Sequence, residues 1–150
     1  MRFEAGLDGV TFQSKGCKLL GGLYKAAGEG PRPTAVLLHG VPGVEKQLDI
    51  AYALRDLGWN CLYFHFRGSL GSEGAYSFAG LAEDTEAAVE WALRQPSVDK
   101  DRIALIGGSM TGDKDELFPP PHYTEFLAVL PATRWARAEE GDHARSTCRP

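Results

Sequence analysis

Apolar residues recur along the chain in two alternating rhythms. Thr34-Ala-Val-Leu-Leu38 is a continuous apolar run of strand length, the pattern of a strand covered on both faces. Asn60 to Phe66 gives a second such strand, rich in aromatics, and Ile103 to Ile106 a third, apolar at every position. Between them the spacing becomes helical. Ile50, Leu54 and Leu57 predict a helix from about Glu45 to Leu57, with Gly58 where a C-cap glycine belongs. Leu81, Ala88, Val89 and Ala92 form the inward face of a second helix, from about Gly80 to Arg94, which Pro96 ends. Upstream, Val10 to Gln13 and Leu19 to Lys25 predict two short strands around a Ser14-Lys-Gly turn, and Ala27 to Pro33 a Gly/Pro loop.

Alternating strands and helices predict an α/β domain with a mostly parallel sheet, right-handed crossovers and flanking helices. In such sheets the site lies at the carboxyl ends of the strands. His39-Gly40, Arg67-Gly68 and Ser109 each follow a strand, so all three are expected at one edge. The strand Ile103–Ile106 breaks at Gly107-Gly108 and presents Ser109, the sequence form of a nucleophile elbow. The backbone kink of an elbow lifts the serine hydroxyl clear of the strand end, where a base reaches it. The fifth place of G-x-S-x-G holds Thr111, with Gly112 one residue late. Gly-Gly-Ser alone does not separate a nucleophile from a loop serine.

Composition narrows the class. The chain has 150 residues, enough for one domain with its own core, and is 43% hydrophobic and 24% charged, as a soluble globular protein is. A net charge of −4 gives no electrostatic case for nucleic acid or an anionic membrane. No apolar run approaches the roughly 18 residues of a membrane helix, and the first residues lack the apolar core of a secretory signal. The cysteines, Cys17, Cys61 and Cys148, fit no metal spacing. Cys61 is expected as a small core residue and Cys148 as a free thiol or an intermolecular link, with a reducing cytoplasm as the default location.

Leu-Leu-His-Gly-Val-Pro-Gly43, Phe-Arg-Gly-Ser-Leu-Gly-Ser-Glu-Gly74 and the serine strand, in that order and spacing, resemble the α/β-hydrolase family over roughly residues 10 to 110. The nearest branches are the bacterial lipase/esterase and prolyl-oligopeptidase-like ones. The resemblance implies Ser109 as nucleophile and backbone N–H groups of Val41 and Met110 as the oxyanion hole. It makes His39 a shaper of its loop rather than the base. Thr-Gly-Asp-Lys-Asp-Glu-Leu-Phe-Pro119 resembles the family's acid loop, with Asp115 rather than Asp113 at the catalytic position. Pro121 to Leu130 resembles the helix after that loop, Arg134 to Ala138 the last strand, and Gly141-Asp-His-Ala144 the histidine loop, with His143 as base. Relatives interpose a helix, two strands and usually a cap between serine and acid. Here the two are 115 − 109 = 6 residues apart, so the chain reads as a single shortened domain, 1–150, without a cap.

Six residues span at most about 20 Å, which permits a triad of Ser109, His143 and Asp115. The chemistry implied is acyl transfer: His143 takes the Ser109 proton, Asp115 stabilises the imidazolium, and water releases the acyl-enzyme. Without a cap, small or short-chain acyl esters suit the site best, and no cofactor or metal is implied. The alternatives are a catalytically inactive, hydrolase-like interaction module and a peptidase-type serine hydrolase. Loss of the intervening strands would leave the apolar serine strand at the sheet edge, or pair the last strand directly with it. Such an edge invites pairing with another chain, so a homo-oligomer, a dimer in the first instance, is expected. His65, His122, Trp91 and Trp135 are expected to be structural.

Overall fold

The structure, a computed structural model, describes residues 1–40 and 48–107, the backbone of 126–130, and Cys148. In chain order the elements are β1 (Arg2–Phe3), β2 (Gly6–Ser14), β3 (Cys17–Lys25), β4 (Gly28–Glu29), β5 (Arg32–Leu38), α1 (Leu48–Asp56), β6 (Asn60–Phe64), α2 (Phe78–Leu93), β7 (Val98–Gly107) and β8 (Phe126–Leu130). Six strands form one sheet in the order β2-β3-β6-β5-β7-β8, while β1 and β4 make a small separate pair.

The α/β architecture is as expected, but the sheet is mixed rather than mostly parallel. β5 runs parallel to β6 and to β7; the β2–β3 hairpin and β8 add antiparallel pairs at the two flanks. From β5 the chain crosses through α1 to β6 on one side. It then crosses through α2 to β7 on the other side. The direction of winding therefore reverses between β5 and β7, and the crevice at a reversal of this kind opens at the strands' carboxyl ends.

The continuous apolar runs are explained by helices on both faces. Side chains alternate along β5: Val36 joins Leu62, Phe64, Ile103, Ala88, Val89 and Ala92 in the core under α2. Ala35 and Leu37 join Cys61, Tyr24 and Ala51 under α1. Cys61 is thus the core residue expected, and burial pushes its thiol pKa up to about 12. α1 ends as Gly58 predicts. Gly58 has φ +86°, its N–H bonds to Arg55 O at 2.9 Å, and the Trp59 N–H bonds to Leu54 O at 2.9 Å. Both bonds belong to the Schellman arrangement, which makes Leu57 the capping residue. Leu57 is consequently not an inward helix position: it lies past the last turn and is 76% exposed.

The helix expected from Pro121 to Leu130 is not what residues 126–130 form. They are strand β8, paired antiparallel with β7 from Ile103↔Leu130 to Gly107↔Phe126. Phe126-Leu-Ala-Val-Leu130 is an unbroken apolar run, a pattern that periodicity alone does not assign to helix or strand, and the unpaired flank of β7 decides in favour of strand. The edge on which the expectation of a homodimer rested is thus covered within the chain. The proposed last strand, Arg134 to Ala138, lies outside the described residues.

Candidate active site

β5 delivers His39 and Gly40 to the carboxyl edge. His39 is buried, 9% exposed, and the Phe66 ring meets it edge-on at 4.8 Å between centroids. Its Nε2 accepts the Phe66 backbone N–H at 3.1 Å. A backbone N–H only donates, so Nε2 carries no proton and Nδ1 holds the ring's hydrogen. Nδ1 then donates to the Gly40 carbonyl, 3.0 Å away. Burial lowers the pKa of this imidazole, partly opposed by its bond to Gly40. His39 is a neutral tie between two loops, and with both nitrogens engaged it has no free atom with which to act as a base.

A second tie fixes the loop after β6. Asp84, on the inward face of α2 and 1% exposed, accepts two hydrogen bonds and holds one ion pair. Ser14 Oγ donates at 2.7 Å and the Arg67 N–H at 2.9 Å, and Arg67 Nε lies 2.7 Å from Oδ1. Arg67 Nη2 also bonds to Gly80 O and pairs with Glu83. Its carboxylate partners raise the Arg67 pKa, although burial, the largest influence, opposes them. The loop then bends at Gly68, where φ is +75° and a Cβ would stand 2.6 Å from the Tyr76 nitrogen. Ser72 Oγ donates to His65 O at 2.7 Å and accepts the Leu20 N–H at 3.0 Å. Glu73 and Lys18 bond reciprocally, backbone to backbone at 2.9 Å and side chain to backbone at 2.8 Å. The glycine-rich loop is therefore held on β3 as well as on α2.

Between these ties lies an open, mostly apolar cavity of about 400 Å³. It is lined by Leu38 and His39 after β5, Phe66 after β6, Gly107 at the end of β7, and Leu81, Ala82, Thr85 and Glu86 of α2. β7 reaches this cavity two residues before Ser109. Ser109, Met110, Val41, Asp115 and His143 themselves lie outside the described residues. Among the described residues, no group of His, Cys, Asp or Glu is placed to hold a metal ion, and no helix is long and apolar enough to cross a membrane.

Two features escaped the sequence reading. Asp84 is one; its signal was a carboxylate between Leu81 and Ala88 on an apolar helix face, where burial demands a partner. The other is covalent. Cys148 is neither free nor intermolecular: it forms a disulfide with Cys17, 131 residues away, with Cα atoms 4.9 Å apart. Connectivity of this kind is not readable from spacing.

The family model for X-Pro dipeptidyl-peptidase (S15 family) matches residues 25–139. The chain belongs to this family. It is also 36% identical, over 107 residues, to an uncharacterized protein of Mycobacterium tuberculosis, a match covering 71% of this chain and 38% of that one. Among solved structures, the esterase Pf2001 of Pyrococcus furiosus aligns with a TM-score of 0.60 and 29% identity, over 71% of this chain and 44% of that one. The α/β hydrolase GrgF of Penicillium aligns with a TM-score of 0.62 and 28% identity, over 68% of this chain and 37% of that one. The S15 match and these structures agree on the α/β-hydrolase fold. The chain spans about two fifths of the length of the curated relative it matches.

Proposed function

We propose that this S15-family chain is a serine hydrolase that cleaves small or short-chain acyl esters through an acyl-enzyme. The observation that carries the reading is the cavity at the β5/β7 reversal, because β7 enters it two residues before Ser109. In the proposal Ser109 attacks the carbonyl, His143 takes its proton and returns it to the leaving group, and Asp115 holds the imidazolium. Val41 and Met110 N–H groups stabilise the tetrahedral oxyanion, each contributing about 10²–10³ in rate. The His39 tie supports this assignment. It fixes the Gly40 carbonyl, 3.0 Å from Nδ1, at the residue that precedes Val41. The size and apolar lining of the cavity suit a short acyl chain.

The S15 match favours a second reading, cleavage of a peptide bond after an X-Pro dipeptide. One comparison tests both: turnover of p-nitrophenyl acetate and of an X-Pro p-nitroanilide by the wild-type chain and by Ser109→Ala. Ester turnover that disappears with Ser109 supports the esterase, and anilide turnover that disappears with it supports the peptidase. Turnover retained in full by Ser109→Ala contradicts both.

A further inference from the structure

Among the described residues the sheet ends at β2, which pairs only with β3. The β2–β3 hairpin turns through Lys15-Gly16, with φ +47° and +81°, both left-handed as in a type I′ turn. Ser14 and Cys17 at its mouth therefore face each other as a hydrogen-bonded pair. Bonded pairs alternate along an antiparallel ladder, so Phe12, Val10, Asp8 and Gly6 bond to β3 as well. The other strand agrees: Lys18 and Leu20 turn their backbone groups away from β2, to Glu73, Ser72 and His65. The N–H and C=O groups of Leu7, Gly9, Thr11 and Gln13 are left pointing outward, with no hydrogen-bond partner among the described residues. Proteins guard such an edge with short strands, lysine, proline or a bulge. β2 has none of these. It is nine residues long, free of lysine and proline, and in unbroken register with β3 from Gly6↔Lys25 to Ser14↔Cys17. Its one charge, Asp8, is held by Lys25 at 2.7 Å.

We propose that β2 is a dimerisation edge, pairing antiparallel with β2 of a second copy about a two-fold axis through Val10. In this register Leu7 faces Gln13 of the second copy and Gly9 faces Thr11, so every outward backbone group finds a partner, each pair exchanging both bonds. An axis at Gly9 would leave Gln13 unpaired, and one at Thr11 would leave Leu7 unpaired. Val10 meets Val10 of the second copy on the face that α2 covers, so apolar surface continues across the axis. Asp8 lies opposite Phe12 of the second copy. The two Asp8 carboxylates are then 12 − 8 = 4 residues apart along the ladder, about 13 Å, beyond the screening length of about 10 Å at 0.1 M salt. A strand whose single charge is already paired gives a foreign strand little to be selected by, whereas its outward groups match its own reversed copy in a closed two-fold dimer. Association thus moves to β2 from the β7 edge, which β8 covers, and is independent of which bond the site cleaves.

The test measures sedimentation mass and residue-resolved amide exchange between about 1 µM and about 100 µM, for the full chain and for Thr11→Pro. The Thr11 N–H is not bonded to β3, so proline there spares the hairpin and blocks only the outer edge. The wild-type chain is expected to sediment as a dimer at the higher concentration. Its Leu7, Gly9, Thr11 and Gln13 amides are expected to exchange at least about tenfold more slowly there than at the lower one, while those of Val10 and Phe12 are protected at both. Thr11→Pro is expected to remain monomeric, with Val10 and Phe12 protected as in wild type. A wild-type chain still monomeric at the higher concentration overturns the dimer edge. So does a dimer whose four outward amides exchange at the same rate throughout, or one that survives in folded Thr11→Pro. Slow exchange of the four in a monomer means that another part of the chain covers β2, and also overturns it. Should Thr11→Pro fail to fold, mass and exchange of the wild type decide alone.

Discussion

The His39 ring accepts the backbone N–H of Phe66 through Nε2 at 3.1 Å, so the end of β5 and the loop after β6 are joined by a neutral imidazole. Protonating Nε2 removes the acceptor and puts two N–H groups face to face. The folded-state pKa of His39 lies below its ordinary 6.5, chiefly through burial. The unfolded chain therefore binds the proton more readily than the folded one. The stability this histidine contributes is complete above about pH 6.5 and is lost as pH falls through the lower folded value. Thermal unfolding between pH 8 and pH 4.5 is expected to show a decline attributable to His39. His39→Gln is expected to reduce that decline and to destabilise the fold by about 1–3 kcal/mol at neutral pH, as an unpaired buried donor costs.

Asp84 is predicted to be the most sensitive polar position of the scaffold. Asp84→Ala leaves the Arg67 guanidinium, whose side chain is 13% exposed, without its buried partner. Urea unfolding is expected to show a loss of about 3–5 kcal/mol. Ser14→Ala removes one hydrogen bond to the same carboxylate and should cost only about 1 kcal/mol. Equal effects for the two variants would contradict the network described.

Gly68 joins two constraints, a φ of +75° and a backbone nitrogen 2.6 Å from any added Cβ. Gly68→Ala is therefore expected to destabilise the chain by at least about 1 kcal/mol, and to disturb the site because Arg67 must shift. The cavity-side readout is ester turnover, expected to fall more than the loss of folded protein explains.

Two leucines test the packing. Leu62 is fully buried between β5 and β3, and Leu62→Ala should cost about 2–5 kcal/mol. Leu57 stands exposed at the α1 cap, and Leu57→Ser should stay within about 0.5 kcal/mol of wild type. Both are read from denaturant midpoints.

The parts legible in the sequence are those governed by local pattern. The runs Thr34–Leu38 and Ile103–Ile106 lie within β5 and β7, and the Gly58 cap and the inward face Ala88, Val89 and Ala92 were found as expected. Leu57 was misassigned because its spacing fits a helix that Gly58 closes one residue earlier. Phe126–Leu130 was misassigned because an apolar pentad takes its state from its neighbour, here the open flank of β7. The Asp84–Arg67 pair spans 17 residues and the disulfide 131, and no periodicity carries information over such separations. Of the site, the edge and its supporting histidine were legible from the two strand-end motifs His39-Gly40 and Arg67-Gly68. Ser109, Asp115 and His143 rest on motif chemistry and family resemblance.

An acyl-transfer nucleophile at the edge where β5 and β7 end is open to one decisive measurement, treatment of the folded chain with a fluorophosphonate followed by peptide mass mapping. Stoichiometric phosphonylation of Ser109 is expected, abolished by prior denaturation and absent in Ser109→Ala. A folded chain whose Ser109 remains unmodified, or one labelled at a different serine, contradicts it.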